Sequence, residues 1–251
     1  MRFRSIFPTA VAAFVAALLV TPAHAQETVA RNYSMTPTDG MAAQFEAALK
    51  AHIQWRTENG DPWTWGVSTL ETGEGLGEAS VRSGGHSWAE FDTYDAGFGP
   101  KGLQHFQATV APLLQSISST IGTTNEAISN RPPTGRPLGF VTITTFHIRP
   151  DRQAQFSEAV ASGTSILKEQ GFPGFWVWTA PVSGGGMGPQ MSLVALHTDW
   201  ADMQEPNPSF EMILAQAMGE DDFREWAASF GESIRGQETI TRRLRPDLAG
   251  N

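Results

Sequence analysis

The chain has 251 residues, with 17 Lys+Arg against 26 Asp+Glu and no cysteine. A net charge of −9 repels phosphate backbones and excludes nucleic acid as the natural partner. Without cysteine there can be no disulfide, thiolate metal site, cysteine nucleophile or lipoprotein anchor, so the fold must rest on its core.

The first residues read as an export signal. Arg2 and Arg4 form a positive start, Ala10 to Val20 is apolar, and Thr21-Pro22-Ala23-His24-Ala25 supplies the small-x-small cleavage pattern. The predicted cut follows Ala25, and the apolar run is short of the roughly 20 residues needed to span a bilayer. The signal peptide is therefore 1–25, and the mature chain is expected to be exported, periplasmic and free of membrane insertion. Its 226 residues carry 15 basic and 26 acidic side chains, two arginines having left with the signal, for a net −11. That length exceeds one domain of about 100–150 residues and suggests two units.

An internal repeat organises those residues. Met35-Thr36-Pro37 matches Ile148-Arg149-Pro150, and Trp63-Thr64-Trp65 matches Trp176-Val177-Trp178, both 113 positions on. Phe45 matches Phe156 and Glu58-Asn59-Gly60 matches Glu169-Gln170-Gly171, both at 111. Trp88-Ala89-Glu90 matches Trp200-Ala201-Asp202 at 112. Five matches in one order at near-constant offset indicate a tandem duplication. The predicted units are 26–130 and 139–251, the second with a short C-terminal tail, joined by a Pro/Gly-rich linker at 131–138.

Within each unit the predicted elements run in the same order. Strands open at 28–35 and 139–148, each followed by a proline that turns the chain toward a helix. Met41, Phe45, Leu49 and Ile53 make one apolar helical stripe; Phe156, Val160, Gly163 and Leu167 make the other. Gly60 and Gly171 suit the left-handed residue that ends a helix. Strands bearing the Trp-x-Trp pairs follow, then glycine-rich hairpins at 73–77 and 184–188 leading into third strands at 79–83 and 191–197. Ser87 and Glu90 have the spacing of a capping box for a second helix. Helical segments are expected through Leu103, Phe106, Val110, Leu113 and Ile117, and through Phe223, Trp226, Phe230 and Ile234. Closing strands are expected near 126–129 and 239–244.

The order is β-α-β-β-α-β twice, so the fold class is α+β, two tandem ferredoxin-like units. Each four-stranded sheet has one face uncovered by helices, and two such sheets can cover each other in an intrachain barrel. This element order, with its Trp-bearing junction between third strand and helix, resembles the dimeric α/β-barrel superfamily and its antibiotic-biosynthesis-monooxygenase-like members. The resemblance covers residues 28–245 and no catalytic motif. It implies a cleft for organic ligands between sheet and helices or within the barrel. Some members oxidise aromatic compounds without a cofactor, some bind or degrade haem, and others have no known activity.

The expected ligand site lies in the second unit. Alternation along 139–149 sets Phe146 and Ile148 toward the helices, and His147 and Arg149 toward the opposite, open sheet face. Arg149 is suited to an acidic group. Trp176 and Trp178 share one face of their strand and offer either core or an aromatic wall. His197 ends a strand at the rim, where polar groups converge on ligands. His147 and His197 are the candidates for acid-base chemistry or an axial haem ligand. No carboxylate or histidine spacing marks a metal site. No cofactor is predicted, and haem is the one the resemblance leaves open. The reading is of a small apolar or aromatic ligand bound by a monomer or homodimer. The alternatives are a cofactor-independent monooxygenase-like or haem-handling enzyme, and an interaction module with a filled barrel.

Overall fold

The computed structural model describes residues 28–186 and 188–249; the signal at 1–25 lies outside them. In chain order the elements are β1 (Thr28–Pro37), α1 (Ala42–Glu58), β2 (Gly66–Thr72), β3 (Ala79–His86), α2 (Trp88–Ala96), α3 (Gly99–Thr109) and β4 (Leu114–Asn130). The second half has β5 (Phe140–Ile148), α4 (Gln153–Glu169), β6 (Phe175–Ser183), β7 (Gln190–His197), α5 (Phe210–Met218), α6 (Glu220–Glu232) and β8 (Ile234–Leu244). No helix among the described residues is long and apolar enough to cross a membrane.

The eight strands form one closed antiparallel barrel in the order β1-β3-β2-β8-β5-β7-β6-β4. Each half contributes a ferredoxin-like sheet, β4-β1-β3-β2 or β8-β5-β7-β6. The halves join edge to edge: β2 pairs with β8, and β4 with β6. The joining ladders are partial: 114–120 of β4 pairs with β1 alone and 234–240 of β8 with β5 alone.

Strand alternation gives the barrel two chemically distinct faces. Outward-facing Val29, Met35, Val67 and Val81 pack with Phe45, Leu49 and Ile53 of α1 in one core. Phe146, Ile148, Trp176 and Trp178 pack with Phe156 and Val160 of α4 in the other. The lumen is largely polar. Ser80 Oγ donates to Asn32 Oδ1 at 2.6 Å across β3 and β1. Arg242 of β8 reaches into the first half, 3.0 Å from Ser68 Oγ and 2.9 Å from Glu78 Oε1.

Several boundaries differ from the sequence reading. Trp176 and Trp178 lie on β6, but Trp63 and Trp65 precede β2 in the loop after α1. Ile117 belongs to β4, which begins at Leu114 and runs for 17 residues, so the preceding helix stops at Thr109. Ile234 opens β8, and Trp200 leads into a short 3-10 turn at Ala201–Met203. The capping box at Ser87 does form. Its Oγ accepts from Glu90 N at 3.3 Å, and Glu90 Oε2 accepts from Ser87 N at 2.6 Å. Gly60 and Gly171 take positive φ of 80° and 67° just past their helices.

Candidate functional site

Each half has a cavity of about 370 Å³ between the outer face of its sheet and its helices. In the second half the walls are Trp176 and Trp178 of β6, Leu193 of β7, Leu167 of α4, and Trp226 and Phe230 of α6. The Trp176 indole N–H is spent on the Ile128 carbonyl at 2.9 Å, which leaves its ring as apolar wall. Trp178 is braced by Phe146 at 5.8 Å and Phe156 at 6.2 Å between ring centroids.

Polar groups gather at one side of this cavity. Arg136, from the segment between β4 and β5, donates through Nη2 to Asp202 Oδ2 at 2.8 Å, and its guanidinium lies 4.9 Å from the Phe175 ring centre. The Asp202 carboxylate also accepts from Thr198 N at 2.8 Å. That backbone bond, with Arg136, holds Asp202 below the usual carboxylate range. Arg136 Nε is buried and has no hydrogen-bond partner among the described residues. An unpaired buried donor is costly, so its presence beside a cavity is informative. His197 lines the same side, its Nδ1 3.2 Å from the Asp202 carbonyl. The ring nitrogen facing a carbonyl is the donor of that bond.

The structure thus brings Trp176, Trp178 and His197 together and sets His147 and Arg149 apart from them. His147 lies on the lumen face, opposite Phe146, with Nε2 3.7 Å from Glu238 Oε1. Arg149 is exposed at the end of β5, its backbone N–H donating to Ser233 O at 2.8 Å. The expectation that these two share a pocket with the tryptophans is corrected: the aromatic wall belongs to the helix-packed face of the sheet. The cationic group beside it is Arg136, which the sequence placed in a linker.

In the first half the matching cavity has a buried polar wall. His52 on α1 is 3 % exposed. Its Nδ1 lies 2.8 Å from His105 Nδ1, and its Nε2 lies 3.3 Å from Arg56 Nη1. Because Arg56 can only donate, His52 Nε2 is the acceptor and Nδ1 holds the proton given to His105. Arg56 also donates through Nε to Asp61 Oδ2 at 2.6 Å and through Nη2 to the Tyr94 hydroxyl. Trp65 Nε1 donates to the same Asp61 oxygen at 3.0 Å. Burial, then the Arg56 charge and His105, pushes His52 down to about 3, so its ring is neutral at ordinary pH. Burial raises the Tyr94 hydroxyl above its ordinary value and keeps it protonated.

A closed barrel of two ferredoxin-like halves with outer helices is the dimeric α/β-barrel fold, formed here within one chain. No protein-family model matches the sequence, and no curated protein matches it. Solved structures share the fold at low identity. A proposed monooxygenase from Lactobacillus acidophilus NCFM is 7 % identical, with a TM-score of 0.54 over 87 % of this chain and 94 % of that one. An anthrone oxidase-like protein is 15 % identical, with a TM-score of 0.51 over 87 % and 91 %. A mutant chlorite dismutase from Candidatus Nitrospira defluvii is 10 % identical, with a TM-score of 0.52 over 88 % and 93 %.

Proposed function

We propose that this is an exported, periplasmic protein that binds a small, flat, apolar or aromatic molecule in the cavity of its second half. The observation that carries the reading is a cavity walled by Trp, Phe and Leu with the Arg136 guanidinium at its edge. Such a site suits an aromatic body with one acceptor oxygen near Arg136 and His197. A cavity of about 370 Å³ holds a few fused rings. Trp176 and Trp178 form the wall, while His147 and Arg149 stand outside this site.

Titration with 2-acetylnaphthalene, an aryl ketone, tests the reading. Arg136→Met should weaken binding at this site about tenfold, the size expected for a charged donor. Ala195→Phe, on β7, should fill the cavity and abolish binding there. Unchanged affinity in both variants would defeat the proposal. Export is tested separately by N-terminal sequencing of the protein from the cell envelope, where the expected first residue is Gln26.

Haem would need a lining histidine as its ligand, and in the second half that is His197, beside Arg136, Asp202 and Glu205. His52 in the first half has both nitrogens engaged. Cofactor-independent oxidation of the bound aromatic is the second reading, favoured by the monooxygenase and anthrone oxidase-like proteins of this fold. Oxygen uptake with anthrone as probe decides it.

A further inference from the structure

We propose that the first-half cavity is a second, independent binding site, shaped for a neutral aromatic molecule with a hydrogen-bond-accepting oxygen, which Tyr33 and Arg31 read. The cavity has the same place and the same volume of about 370 Å³ as its counterpart, but its polar groups divide into two sets. One set is closed upon itself. Arg56 is held by Asp61, Tyr94 and His52, lies 4.7 Å from the Trp65 ring and 5.5 Å from Phe98, and so forms a rigid wall.

The other set has capacity to spare. The Tyr33 hydroxyl lines the cavity and has no hydrogen-bond partner among the described residues. Arg31 lies 4.9 Å from the Phe91 ring centre and makes one long hydrogen bond, 3.3 Å from Nη1 to Asp95 Oδ1, and that carboxylate is 58 % exposed. Its remaining N–H groups are available donors. The second set therefore offers donors on the cavity side, from Tyr33 and Arg31, which suit an acceptor on the ligand.

Charge selects a neutral one. Arg31 is balanced by Asp95 and Arg56 by Asp61, so an added carboxylate would sit uncompensated beside Asp95. The body of the ligand is set by the mouth, where Leu103 is 55 % and Ile117 47 % exposed around an interior of Met35, Leu49 and Phe106. An aryl ketone or quinone has all of these features. This site does not depend on the reading of the second half, because it has its own walls and its own donors.

Titration calorimetry of the mature chain with 2-acetylnaphthalene, compared with 2-ethylnaphthalene of the same shape, tests the assignment. Wild-type protein should bind two equivalents of the ketone, and Ala195→Phe, which blocks only the second half, should keep one. In that background Tyr33→Phe should weaken the ketone about fivefold, the worth of one neutral hydrogen bond, and leave the ethyl compound unchanged. Ile117→Trp, at the mouth, should remove the equivalent, with thermal unfolding showing that the variant is folded. The proposal is overturned if Ala195→Phe abolishes all binding, if ketone and hydrocarbon bind equally, or if folded Tyr33→Phe and Ile117→Trp bind as before. Wild-type protein that binds a single equivalent, unchanged by Ala195→Phe, would instead defeat the function proposed above.

Discussion

The two halves solve one packing problem in opposite ways. Helices α1 and α4 are both 17 residues long and superpose in sequence at an offset of 111. At that offset His52, Arg56 and Asp61 of the first half stand where the second has Gly163, Leu167 and Phe172. The first half builds a buried network in which each group has a partner. The second replaces it with hydrocarbon and brings Trp226 so close to α4 that a Cβ on Gly163 would lie 2.9 Å from the ring. A backbone frame can thus carry a polar or an apolar wall, provided the polar one is complete. The cavity beside the network inherits fixed charge, and the cavity beside the hydrocarbon inherits one unpaired donor.

The sharpest break in this comparison comes from Arg56→Met, which makes the first half resemble the second at one position only. Asp61, whose side chain is 1 % exposed, then loses its cation, and stability should fall by about 3–5 kcal/mol in urea unfolding. Leu167→Met, at the matching position, should cost under about 1.5 kcal/mol. Equal losses would show that the network is not what stabilises α1.

Acid separates the halves next. His52 binds a proton near 6.5 when unfolded but only at about 3 when folded, so between these values the unfolded chain holds more protons. Stability from this group is complete above pH 6.5 and is lost as pH falls toward 3, by a few kcal/mol. His105, also lowered by burial and by Arg56, adds in the same direction. In His52→Gln, unfolding midpoints measured across this range should show a flatter acid limb. An unchanged slope would place the titration elsewhere.

Gly163→Ala tests the second half's tight side. The added methyl meets the Trp226 ring, and overpacking of this kind costs about 1–3 kcal/mol. A stabilised variant would mean that the ring yields freely. The smallest effect is expected at Ser87→Ala, about 1 kcal/mol, because it removes one exposed capping bond and touches no core. Thermal unfolding suffices to read both.

What was legible in the sequence follows from local rules. The helix stripes, Gly60, Gly171 and the Ser87–Glu90 box depend on a few neighbouring residues, and they form as the residues dictate. Alternation along β5 also placed Phe146 and His147 on opposite faces. It could not tell which face holds the aromatic wall, because that depends on where α4, α5 and α6 pack. The start of β4 was hidden for a different reason. Its Ser- and Thr-rich stretch lacks an apolar pattern, and strand formation there rests on pairing with β1. His52 and Arg56 did leave a signal, as polar residues three and seven positions after Leu49 on an apolar stripe. Arg136 left none, since its role depends on Asp202, 66 residues away.

The edge-to-edge closure of the barrel has a consequence for variation. In a barrel assembled from two identical chains, every substitution appears twice and dilution separates the partners. Here β2·β8 and β4·β6 are joined by a tether, so each half meets the other at a fixed effective concentration whatever the amount of protein. A change in one half then occurs once, and its counterpart is free to remain as it was. That freedom is what allows a histidine–arginine wall and a leucine–phenylalanine wall to share one eight-stranded frame.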